Sequence, residues 1–85
     1  GPGAPPAPGL VPIKGTLTID GKATQGVKVI FLTAEAIKGA KKDVPVYGPS
    51  GITDDKGEFT ITSTHINDGV PPGEYSVVFD WTPPE

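Results

Sequence analysis

Residues 51–63 read GITDDKGEFTITS. Two runs rich in β-branched and aromatic residues flank the tetrad Asp54-Asp55-Lys56-Gly57, the pattern of a tight hairpin with Gly57 in the left-handed position. In the second run, Phe59 and Ile61 fall on one face and Glu58, Thr60 and Thr62 on the other, because side chains alternate along a strand. On the N-terminal side, residues 27–33 (VKVIFLT) repeat that period, with Val27, Val29 and Phe31 against Lys28, Ile30 and Leu32. The second of these faces is unusually apolar for a solvent face. Either it meets a partner, or the segment that follows folds back over it. Residues 13–20 (IKGTLTID) alternate as well, placing Ile13, Gly15, Leu17 and Ile19 together, and Asp20-Gly21-Lys22 signals a turn. On the C-terminal side, the rigid turn GVPPG at 69–73 feeds EYSVVFDW at 74–81. There the period directs Tyr75, Val77, Phe79 and Trp81 inward and Ser76, Val78 and Asp80 outward, before Pro83-Pro84 ends the strand.

Residues 34–45 (AEAIKGAKKDVP) fit two descriptions. One is a single helical turn capped by Thr33, with Glu35 in its first turn and Lys41 and Lys42 in its last. The other is a polar loop, because Gly39 weakens a helix. Val46-Tyr47 then starts a short edge strand. Turn signals every 8–14 or so residues predict an all-β sandwich of about seven strands. Its expected core is Ile13, Leu17, Ile19, Val27, Val29, Phe31, Ile52, Phe59, Ile61, Tyr75, Val77 and Phe79.

Composition agrees with a single small domain. The 85 residues include eight Val, seven Ile and nine Thr. Five of the eleven prolines fall in the first twelve residues, so residues 1–11 read as a flexible Pro/Gly-rich tether, 12–82 as the β-domain and 83–85 as a tail. The chain has no arginine and a net charge of −3, so it lacks the basic footprint of a nucleic-acid binder. No apolar run approaches the length of a transmembrane segment. Without cysteine there is no disulfide, thiolate zinc site or cysteine nucleophile.

Three blocks in order carry a resemblance that spans about 65 residues. They are Lys14-Gly15-Thr16-Leu17 followed by Asp20-Gly21-Lys22 and Gly26-Val27-Lys28-Val29-Ile30-Phe31, then the hairpin Gly51 to Ile61, then Asp68-Gly69-Val70-Pro71-Pro72-Gly73-Glu74-Tyr75-Ser76-Val77. This order resembles carboxypeptidase regulatory-like domains, in particular the short form carried by secreted bacterial lipoproteins. The resemblance implies a transthyretin-like (prealbumin-like, Ig-like) β-sandwich without catalytic activity. It also implies an extracytoplasmic setting, in the cell envelope or secreted, with a lipid anchor supplied by residues upstream of this chain. Residues 34–49 depart from the short loop usual in that family, so no binding surface carries over there.

The chemistry-bearing residues point away from catalysis and cofactors. His65, the single histidine, sits in a polar connection near Asp68 with neither a nucleophile elbow nor a metal-ligand pair beside it. Asp54, Asp55 and Glu58 do not follow the spacing of a twelve-residue calcium loop, and Lys56 opposes a cation, so they read as turn residues rather than a metal site. A self-formed isopeptide bond would need Lys14 or Lys28 buried with Glu58 and Asp80, yet the alternation puts all four on outward faces. Binding is left as the functional class. Trp81 and Tyr47 are candidate stacking platforms, and Ile30, Leu32 and Val78 a candidate apolar patch. The expected partner is a protein or polysaccharide of the cell envelope, met by a monomer. The principal expectation is a structural or protein-interaction module; the alternative is a carbohydrate-binding module that uses its exposed aromatic rings.

Overall fold

The computed structural model describes residues 9–84. Most of the expected tether and the last residue of the tail lie outside the described residues. The described chain is predominantly β, with seven short strands and one helix of a single turn and a half: β1 (Lys14–Thr16), β2 (Thr18–Ile19), β3 (Lys22–Ala23), β4 (Lys28–Leu32), α1 (Ala34–Lys38), β5 (Ser50–Ile52), β6 (Glu58–Thr60) and β7 (Ser76–Asp80). All the pairings are antiparallel: β1 with β6, β2 with β3, and a three-stranded sheet in the order β5-β4-β7. No helix among the described residues is long and apolar enough to cross a membrane.

The hairpin expected at 51–63 is present, and its turn is held by its own residues. Asp54 Oδ1 accepts hydrogen bonds from the Lys56 and Glu58 backbone N–H groups at 2.9 and 3.0 Å, and Gly57 has φ +74°. Beyond the turn its arms pair with different strands, β5 with β4 and β6 with β1, yet stay in close approach: Gly51 lies so close to the Thr60 carbonyl that a side chain would clash, and Ser50 and Thr62 form a two-residue bridge. The hairpin thereby links the β1–β6 pair to the three-stranded sheet. The strand expected over 13–20 is divided at Leu17, whose N–H bonds to the Gly57 carbonyl at 2.8 Å. Its first half pairs with β6 and its second turns back through Asp20 (φ +52°) and Gly21 (φ +78°) onto β3.

The β1–β6 pair and the three-stranded sheet contribute to one core. Val29 of β4, Ile61 after β6 and Val70 are buried together, and Ile13, Phe31, Phe59 and Tyr75 pack around them. Phe31 and Tyr75 tilt against each other with centroids 5.7 Å apart. Glycine at position 15 makes room for the Phe59 ring on the facing strand. Val11 is tied to the domain by an isolated antiparallel bridge, its N–H and C=O both bonding to Val70, at 2.7 and 2.9 Å. That bond pair stands at the boundary expected between tether and domain.

Three expected core residues are more exposed than alternation predicts: Ile52 at 64%, Phe79 at 54% and Val77 at 44%. The register puts Val77 and Phe79 opposite Phe31 and Val29, on the core face as expected. They overhang the core, however, because β7 is the edge of its sheet. Ile52 is opposite Lys28, on the other face. Residues 34–48 adopt the helical alternative first, with Thr33 Oγ1 accepting the Ala36 N–H at 3.1 Å and Gly39 closing the C-terminus. Lys41 and Lys42 lie beyond the helix, where Lys38 fills the last turn. No strand forms at Val46-Tyr47.

Candidate functional site

Residues 44–47 run across the outer face of the three-stranded sheet and leave a groove of about 360 Å³ between the segment and the strands. Lys28 and Ile30 of β4, Val78, Phe79 and Asp80 of β7, and Val44 to Tyr47 line it. The cross-strand pairs Ile30–Val78 and Lys28–Asp80 set the floor, because directly opposite residues on antiparallel strands share a face. The floor is therefore apolar at one end and carries one cation and one anion at the other.

Three of the five candidate binding residues meet here: Tyr47, Ile30 and Val78. Tyr47 is 78% exposed, on the rim. Ile30, in contrast, is only 5% exposed and Leu32 only 3%. The apolar second face of β4 is thus covered by the chain's own following segment. Of the two readings of this face, the structure has the following segment folded back over it: Ile30 and Leu32 are packing residues, and a partner reaches them only through the groove mouth. Gly48 approaches the Phe31 carbonyl and the Leu32 side chain too closely for any Cβ, which marks where the segment presses onto β4. Val78, expected to face solvent, is half-buried beneath it. Trp81 is half-buried and follows Asp80 at the end of β7, outside the groove lining. Val44 and Phe79 are the contributors that strand alternation did not single out; the signal lay in the apolar Val44-Pro45-Val46-Tyr47 run after a lysine-rich stretch.

Two aspartates, Asp54 and Asp68, hold loops with their carboxylates. The Asp68 carboxylate closes the 63–68 connection by accepting the backbone N–H groups of Ser63 (2.7 Å), Thr64 (3.0 Å) and His65 (2.8 Å). Those N–H donors, His65 first and then Ser63, hold its pKa below the ordinary carboxylate value. The expected proximity of His65 and Asp68 thus runs through the His65 backbone, not its imidazole. Among the residues raised for an isopeptide bond, Lys14 Nζ lies 3.8 Å from Glu58 Oε2 with both side chains well exposed, and Lys28 is the cross-strand partner of Asp80. Among the described residues, no three His, Cys, Asp or Glu side chains converge as metal ligands. A second, more polar groove of about 480 Å³ follows Lys14, Glu58, Thr60, Thr62 and Asn67. It brings together none of the candidate binding residues.

No family model, no curated protein and no solved structure matches this chain.

Proposed function

We propose that this chain is a non-catalytic interaction module of a secreted or envelope-anchored bacterial protein, built as a transthyretin-like sandwich of the carboxypeptidase regulatory-like kind. The fold reading is supported by antiparallel sheets that share one core and by the Gly57 hairpin falling where the resemblance expects it. The functional reading is carried by one observation: the groove beside Tyr47 is rimmed by large apolar side chains left in water, with Tyr47 and Val44 each more than half exposed. A rigid aromatic on the rim of an apolar groove supplies contact area at little entropic cost, which suits a protein partner. The Lys28 and Asp80 pair at one end would give that contact its register.

The test is co-sedimentation of the domain with isolated cell envelopes, before and after protease treatment. Retention that disappears when envelope proteins are digested, and that falls about tenfold or more in Tyr47→Ser, is the expected result. Retention that survives protease and is released by a polysaccharide-degrading enzyme would favour the carbohydrate-binding alternative, for which the exposed Tyr47 ring is the supporting feature. Equal retention of the parent and Tyr47→Ser would overturn the groove as the site.

A further inference from the structure

The outer edge of β7 is an unpaired edge of the three-stranded sheet. Phe31 N–H bonds to Pro49 C=O at 2.8 Å, and Thr53 N–H to Val27 C=O at 3.0 Å, so the odd-numbered residues of β4 bond toward β5. The even-numbered ones therefore bond toward β7, making Lys28–Asp80, Ile30–Val78 and Leu32–Ser76 the hydrogen-bonded pairs. It follows that the N–H and C=O groups of Val77 and Phe79 point away from the sheet. Among the described residues no backbone group pairs with them. The same two residues carry the large apolar side chains that overhang the core, at 44% and 54% exposure. Edge strands are ordinarily blunted by a lysine, a proline or a bulge. Ser76-Val77-Val78-Phe79-Asp80 has none of these and carries a single charge, Asp80, at its end.

The geometry points to a second copy of this chain as the occupant of that edge, with β7 pairing antiparallel to β7 of its partner about a two-fold axis through Val78. The hydrogen-bond parity allows only registers that set odd residues against odd, and charge selects among them. Centring the ladder on Val77 would set Glu74 against Asp80, two carboxylates face to face. Centring it on Phe79 would set Asp80 against the apolar Val78. Centring it on Val78 sets Val77 against Phe79 twice, Val78 against Val78 and each Asp80 against a Ser76 hydroxyl. Continued one step on either side, the same register sets Tyr75 against Trp81. Each acid then has a neutral, hydrogen-bonding neighbour, and the overhanging Val77 and Phe79 side chains cover one another. Such an isologous contact closes on itself and leaves a dimer rather than a fibre. This departs from the monomer expected from sequence; the contact runs along the edge of β7, whose Val78, Phe79 and Asp80 also form one wall of the Tyr47 groove.

Sedimentation equilibrium from micromolar to millimolar concentration tests the pairing. The expected result is a mass approaching twice 8.7 kDa for the parent chain and a single-chain mass for Val77→Lys, with both retaining β-type circular dichroism. The register has its own readout, because the chain carries no cysteine. In this register the two Val78 residues form a non-hydrogen-bonded pair with Cα atoms about 4.5 Å apart, within reach of a disulfide. Mild oxidation of Val78→Cys therefore yields a covalent dimer, whereas Ser76→Cys, displaced along the strand, does not. A parent chain that stays monomeric throughout, or a Ser76→Cys variant that cross-links as readily as Val78→Cys, overturns the proposal.

Discussion

At the scale of single residues, three positions carry local constraints that can be tested one at a time. Thr53 is the one buried polar side chain among the described residues, 3% exposed, and its Oγ1 accepts the Val27 N–H at 2.9 Å where β4 begins. Thr53→Val keeps the shape and removes the acceptor, so it is expected to cost about 1–3 kcal/mol in urea unfolding, with Thr53→Ser recovering most of it. Gly69 has φ +94°, and a Cβ there would be driven into the Val11 carbonyl. Gly69→Ala is expected to destabilise by about 2 kcal/mol or more and to loosen the Val11–Val70 bridge first, read as faster amide exchange at those two residues. Asp68 makes a pH prediction. Its folded pKa is lowered by the His65 and Ser63 N–H groups, so its stabilising contribution is fully present above the unfolded carboxylate pKa and is lost as pH falls through the lower folded value. Unfolding midpoints measured from neutral to strongly acidic pH should fall less for Asp68→Asn than for the parent, and the two curves should converge at the acid end.

At the scale of elements, the segment from Thr33 to Gly48 decides what the outer sheet face does. Ile30 and Leu32 are buried because that segment lies over them, so Ile30→Ala is expected to cost about 2–5 kcal/mol, the price of a core truncation. Tyr47→Ser, on the rim, should leave the unfolding midpoint nearly unchanged. A hydrophobic dye would report the same cover: replacing residues 40–47 with a short Gly-Ser link should raise dye binding by uncovering β4. The sequence reads well wherever a local rule determines the outcome. The alternation of Ile13 to Ile19, the Asp54–Gly57 turn and the Thr33 cap each depend on neighbours in the chain, and each is present. It reads poorly where burial depends on what lies opposite. Period two correctly places Val77 and Phe79 on the core face, but it carries no information that β7 is an edge with little above it. The covering of Ile30 and Leu32 is likewise set by a long-range contact. The apolar second face of β4 was the legible hint of it.

At the scale of the whole molecule, the β1–β6 pair and the three-stranded sheet share the Val29, Ile61 and Val70 core, so neither is expected to persist without the other. Thermal unfolding followed by far-ultraviolet circular dichroism and by Trp81 fluorescence should give coincident single transitions. The slowest-exchanging amides should cluster at Val29, Ile61 and Val70, with residues 34–48 among the fastest. A rigid body of this kind, with an apolar groove on one surface and an open strand on one edge, is suited to holding other proteins in place. Its net charge of −3 favours partners that are neutral or basic at the contact. The most direct test of that role is amide exchange of the domain, free and then mixed with solubilised envelope proteins. The account predicts slower exchange confined to residues 44–47 and 78–80, the two walls of the groove beside Tyr47. No change on mixing, or protection confined to the polar groove along Lys14, Glu58 and Asn67, would contradict it.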